Sequence, residues 1–184
     1  INKKDSFQKS ACCPGREMYN YEENNGNMAG VLIEDFKDKE ISGFISSKVQ
    51  DVGVYESGSF YKRELKGIES LMNQLNLSNI NFIILDSYAS FGLNEHKALG
   101  EKVYEKYGIP IIGIAKKRNN LCILEDVELY RGTSKSPLFI TSVGCSQSFA
   151  KENISNMYGD NRLPYMIKLV DSLARKNQVI LFKE

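Results

Sequence analysis

Two carboxylates stand where a divalent cation could be held. Glu64 ends the segment Tyr55-Glu-Ser-Gly-Ser-Phe-Tyr-Lys-Arg-Glu64 and opens a helical stretch beside Arg63. Asp86 closes the apolar run Asn81-Phe-Ile-Ile-Leu-Asp86, which puts it at the C-terminal end of a buried strand. Paired carboxylates at such ends suit a hard cation such as Mg²⁺, which takes oxygen ligands. The competing reading is structural: a charge in the first turn of a helix and a turn residue after a strand.

The elements around these residues follow from apolar spacing and turn signals. Met28 to Ile33 and Ile41 to Val49 read as a strand pair joined through Phe36–Glu40, with a further strand upstream of the Asn24-Asn25-Gly26-Asn27 turn signal. Leu65 to Leu77 carries Ile68, Leu71, Met72 and Leu75 at helical spacing. Phe82 to Leu85 and Ile109 to Ala115 are continuous apolar runs of buried-strand length. Between them Asn94 to Tyr107 reads as a helix, capped by Asn94 and stopped by Gly108. Leu121 to Leu129 and Leu138 to Ser142 read as strands, and Gln147 to Met157 as a helix. Pro164 starts a last helix, where its missing N–H does no harm, and Val179 to Phe182 reads as a terminal strand. This order predicts an α/β fold: a mixed sheet with parallel βαβ units, an opening antiparallel hairpin and flanking helices.

Composition bounds the function. The 184 residues suffice for one domain with a sizeable core, and 1–184 reads as a single domain whose first 27 residues are hard to interpret. Apolar content of 42% and charged content of 26% are those of an ordinary globular protein. The net charge of +1 gives no global basic field, so a nucleic-acid partner must be held by a local patch such as Lys116-Lys117-Arg118. Apolar runs fall short of the roughly 20 residues a membrane span needs, and no signal peptide is visible. Cys12, Cys13, Cys122 and Cys145 lack metal-ligand spacing, and the single histidine, His96, argues against zinc. Such cysteine usage points to a reducing, intracellular setting, cytoplasmic or nuclear.

Five segments in order resemble the endonuclease V family, metal-dependent nucleases with a ribonuclease H-like fold. They are Tyr55-x-x-Gly58-x-x-x-x-Arg63-Glu64; Phe82-Ile-Ile-Leu-Asp86; Ile109-Pro-Ile-Ile-Gly113-Ile-Ala115-Lys116-Lys117; Ser136-Pro-Leu-Phe-Ile140 with Gly144; and Arg162-Leu-Pro164 with Lys168 and Asp171. Together they span roughly Met28 to Ala174. The family's early aspartate falls either at Glu17, as Gly15-x-Glu17, or at Pro14. Its Gly-x-Gly after the central aspartate is replaced by Ser87-Tyr-Ala-Ser-Phe-Gly92, and its late glycine-histidine-arginine by Gly144-Cys-Ser146.

The resemblance implies a mixed, ribonuclease H-like sheet and Mg²⁺- or Mn²⁺-dependent cleavage of inosine-containing DNA or RNA. Glu64, Asp86 and Glu17 would then ligate the metal, and Lys116 would stabilise charge on the phosphate. His96 would approach from the Asp86 loop. Tyr55 would be a wedge beside Gly58 and Arg63, without the family's flanking prolines, and Lys117 and Arg118 would hold phosphates. The alternative is a catalytically impaired module on the same fold that binds nucleic acid or a protein partner.

Overall fold

The structure, a computed structural model, describes residues 9–13, 26–49 and 60–176, with side chains described for 28–48 and 64–174. Its elements are β1 (Lys9–Cys13), β2 (Gly26–Ile33), β3 (Gly43–Val49), α1 (Phe60–Met72), β4 (Ile80–Leu85), α2 (Leu99–Tyr107), β5 (Ile111–Ala115), β6 (Glu128–Leu129), β7 (Leu138–Val143), α3 (Gln147–Asn156) and α4 (Tyr165–Lys176). The strands form one sheet in the order β3-β2-β1-β4-β5-β7-β6. β1, β4 and β5 are parallel at its centre, and the remaining neighbours pair antiparallel.

The two sheet faces follow from the two-residue period of a strand. Ile83, Leu85 and Ile111 face one way and pack with Ile68, Leu71 and Met72 of α1 and Leu99 and Val103 of α2. Ile84, Ile112 and Ile114 face the other way and pack with Ala150 and Ile154 of α3 and Met166, Ile167 and Val170 of α4. Covered on both sides, β5 is buried at all five residues, which is why it reads as an unbroken apolar run. The mixed α/β sheet, its opening hairpin and its flanking helices match the expectation.

Four sequence expectations need correction or fall outside the description. The first helix begins at Phe60, so Glu64 sits in its second turn rather than opening it; no Pro or Gly in 60–63 stops the helix from starting earlier. Helix α2 starts at Leu99, not after Asn94. Asn94 to Lys97 is exposed and offers nothing to pack, whereas Ala98 is the first buried position and its N–H donates to Glu101 Oε2 at 2.7 Å. The run from Leu121 forms only the two-residue β6, because Leu121 and Ile123 point to solvent, Ile123 with 62% exposure. Residues 179–182 lie outside the described residues.

A close crossing positions the end of β4. After Asp86 the chain passes directly over β5 at Gly113. A Cβ there would press on Ala89 N, Ser87 O and Thr141 Oγ1, the last at 2.9 Å. A Cβ on Gly100 of α2 would meet the other side of the same residue, with Ala89 O at 2.7 Å. Ala89 is thus held between two glycines, and its N–H donates to Thr141 Oγ1 at 2.8 Å in a fully buried bond. Its backbone donor is satisfied by β7 rather than left orphaned.

This crossing predicts that Gly113→Ala will force strand and loop apart, with a loss of roughly 1–3 kcal/mol typical of overpacking. Chemical denaturation checks it, and an unchanged midpoint would refute the close contact.

Candidate functional site

Asp86 and Lys116 meet at the C-terminal ends of β4 and β5. These strands are neighbours in the parallel centre of the sheet, with Leu85 in register with Gly113. Ligands of α/β sheets characteristically bind beyond such strand ends. Lys116 Nζ lies 2.5 Å from Asp86 Oδ2. The two partners differ in burial: the Asp86 side chain is 4% exposed and that of Lys116 is 33% exposed. The carboxylate is therefore the desolvated member, and the ammonium keeps contact with water. β1 ends alongside, Cys13 in register with Leu85.

The turn carrying Lys116 is held from two sides. On one side, the buried Tyr88 hydroxyl donates to Lys117 O at 2.9 Å and accepts from Asn119 N–H at 3.0 Å. Burial raises the Tyr88 pKa, with the Asn119 N–H bond opposing it. Tyr88 packs with Phe91 and, beneath the turn, with Ala98, Ala115, Val127 and Phe139. On the other side, Arg162 Nη2 donates to Lys116 O at 2.6 Å and to Pro137 O at 2.5 Å. Arg162 belongs to a loop gathered around Arg131, which is 6% exposed. Arg131 donates to the carbonyls of Met157 (2.6 Å), Asn161 (2.8 Å) and Gly159 (3.0 Å), with longer bonds to Ser155 and Arg162. Burial lowers the Arg131 pKa, and the charge of Asp160 partly offsets this.

The other expected site residues fall as follows. Glu64 is half-buried in α1. Lys117 is exposed, and Arg118, 63% exposed, pairs with Glu128 at 3.2 Å. His96 is exposed in the loop before α2. Glu17, Tyr55 and Gly58 lie outside the described residues, and Arg63 is described only in its backbone. Among the described residues, no group of three or more His, Cys, Asp or Glu side chains could hold a metal. Arg131 and Tyr88 carried no sequence signal as site residues, and Arg162 entered only through the resemblance of its segment.

No family model and no curated protein matches the sequence. Solved structures do match. Endonuclease V from Bacillus subtilis superposes with a TM-score of 0.76 at 18% identity, over 92% of this chain and 80% of that one. Human endonuclease V gives 0.74 at 16% identity, over 92% and 84%. Ciona intestinalis endonuclease V, in complex with a 24mer DNA containing an inosine followed by a ribo-adenosine, gives 0.72 at 15% identity, over 92% and 85%. The fold is therefore that of the endonuclease V structures, a ribonuclease H-like mixed sheet.

The unequal burial of the pair predicts unequal stability effects. Lys116→Met takes the lysine from a buried carboxylate and will cost about 3–5 kcal/mol, the range for breaking a buried pair from one side. Asp86→Asn leaves an ammonium that water can reach and will cost less. Denaturant midpoints of both variants decide it, and the reverse order would contradict the burial argument.

Proposed function

We propose that this chain is a metal-dependent phosphodiester endonuclease acting on deaminated, inosine-containing DNA or RNA. The Asp86–Lys116 pair carries this reading: a carboxylate and an ammonium in contact beyond adjacent parallel strands, on the fold of endonuclease V. The inosine-containing DNA bound by the Ciona protein supports the substrate class.

The donor chemistry fits Mg²⁺ or Mn²⁺. Mg²⁺ is usually held by one or two carboxylates, completed by substrate phosphate and water, rather than by an all-protein cage. Asp86 and Glu64 would hold it, with Glu17 as a third carboxylate from outside the described residues. When bound, such a cation stabilises charge on the attacking and leaving oxygens of the phosphodiester. Lys116 supplies a compact positive charge to the same phosphate. In the structure its ammonium occupies Asp86 Oδ2, so a ligand role for that oxygen requires the ammonium to swing away. With a third of its side chain exposed, Lys116 has solvent to swing into.

The remaining residues hold and orient the nucleic acid. Lys117 and Arg118 meet phosphates flanking the scissile one, Arg118 by exchanging Glu128 for a phosphate oxygen. Tyr55 would be the wedge, and Gly58 and Arg63 further contacts to the nucleic acid. Inserting such a side chain costs least where a base is already mismatched or damaged. Among the described residues, no helix is long and apolar enough to cross a membrane.

The test uses labelled single- and double-stranded oligonucleotides, with and without inosine, in Mn²⁺ or chelator. The expected outcome is metal-dependent cleavage near inosine, lowered on the order of 100-fold or more in Asp86→Ala and Lys116→Ala, the scale seen when one charge-stabilising group is removed. Cleavage that survives Asp86→Ala would mean a contaminating nuclease. Binding without turnover by the folded wild-type protein would replace the enzyme with a nucleic-acid-binding module.

A further inference from the structure

We infer that Arg162 is a positioning residue for Lys116, and that Arg131 holds Arg162 in the place from which it acts. The inference deepens the proposed function and rests on it for its catalytic consequence, though not for its geometry.

A lysine ammonium sits at the end of a flexible four-carbon stem. Its reach to Asp86 Oδ2 and to a phosphate is defined only if the backbone that carries it is fixed. Lys116 lies one residue past β5, beyond the ladder that ends at Ala115 paired with Phe139. The first clamp past that point is Arg162, through Lys116 O. The same Nη2 takes Pro137 O, one residue before β7, so one nitrogen ties together the two chain ends that flank the site. Tyr88 holds Lys117 O and Asn119 N–H from the opposite side. The Lys116–Asn119 turn is thus gripped at its first residue by Arg162 and at its later ones by Tyr88.

Arg162 is itself positioned. Within the loop 157–162, Tyr158 O accepts from Tyr165 N–H of α4, while Arg131 donates to the carbonyls of Met157, Gly159, Asn161 and Arg162. An arginine delivers this in one planar fork of donors, which a lysine cannot. Arg162 Nη2 is placed between two carbonyls, Lys116 O and Pro137 O, one past the end of β5 and the other just before β7. The relay runs from Arg131 to the loop, from the loop to Arg162, and from Arg162 to the backbone of Lys116.

The test compares wild type, Arg162→Met and Arg162→Lys, with Asp86→Ala as control. Three quantities are read: oligonucleotide binding in chelator, the single-turnover cleavage rate in Mn²⁺, and amide hydrogen exchange over 113–119. Arg162→Met is expected to bind within about 3-fold of wild type yet cleave roughly 10- to 100-fold more slowly, since small misplacements of a reacting group carry such costs. Arg162→Lys, which can still donate to one carbonyl, should recover part of the rate. Exchange over 113–119 should quicken in Arg162→Met while that over 99–107 stays as in wild type. Wild-type cleavage by Arg162→Met, an equal loss of binding and rate, or unchanged exchange over 113–119 would overturn the inference. If wild type does not cleave, the proposed function fails, and the exchange comparison alone decides whether Arg162 positions this turn.

Discussion

Everything at the candidate site depends on the passage of Ser87–Ala89 across β5. Asp86 must leave a central strand and the chain must turn aside at once, because helices cover both sheet faces. The chain leaves over the neighbouring strand β5, where Gly113 leaves room for it. Gly100 closes the gap from above, so Ala89 has backbone on both sides. Three elements, β4, β5 and α2, are thereby brought to one point. The buried bond from Ala89 to Thr141 adds β7 as a fourth. Asp86 stands at the start of this crossing, one residue before it.

A buried carboxylate next to such a crossing would be costly alone. Lys116 reduces that cost, yet a lysine is a loose partner, and the protein compensates by holding the lysine's backbone firmly. Tyr88 does so from the β4 side and Arg162 from the side of α4. Rigidity is thus assigned to main-chain atoms and freedom to a single ammonium group. That division suits a residue that must release one anionic partner to meet another. It also explains why the densest hydrogen bonding nearby, around Arg131, serves a loop that carries only one of the residues touching Lys116.

How legible this was in the sequence depended on the kind of interaction. Buried strands announce themselves: Ile83-Ile-Leu85 and Ile111 to Ala115 are apolar because both faces are covered, and Asp86 and Lys116 are where such runs end. Their contact follows once the two strands are neighbours in a parallel sheet. Local pattern misled where apolar residues point outward, as at Leu121 and Ile123, and where a plausible cap such as Asn94 precedes residues with nothing to pack. The arginine relay left no pattern at all. Bonds from a guanidinium to backbone carbonyls have no period and no preferred neighbours in sequence. Arg131 is merely one basic residue between Tyr130 and Gly132 until the loop closes around it.

The burial of Asp86 also sets how the molecule meets ionic strength. The Lys97–Glu105, Lys106–Glu69 and Arg118–Glu128 pairs lie in solvent, where counterions compete for both partners. Asp86 is shut away from those counterions. Added salt therefore weakens the outer pairs, and any phosphate contacts of Lys117 and Arg118, well before it reaches the Asp86–Lys116 pair. The grip on a polyanion and the integrity of the charged centre are in this way separately adjustable: the first follows the medium, and the second is insulated from it by the fold.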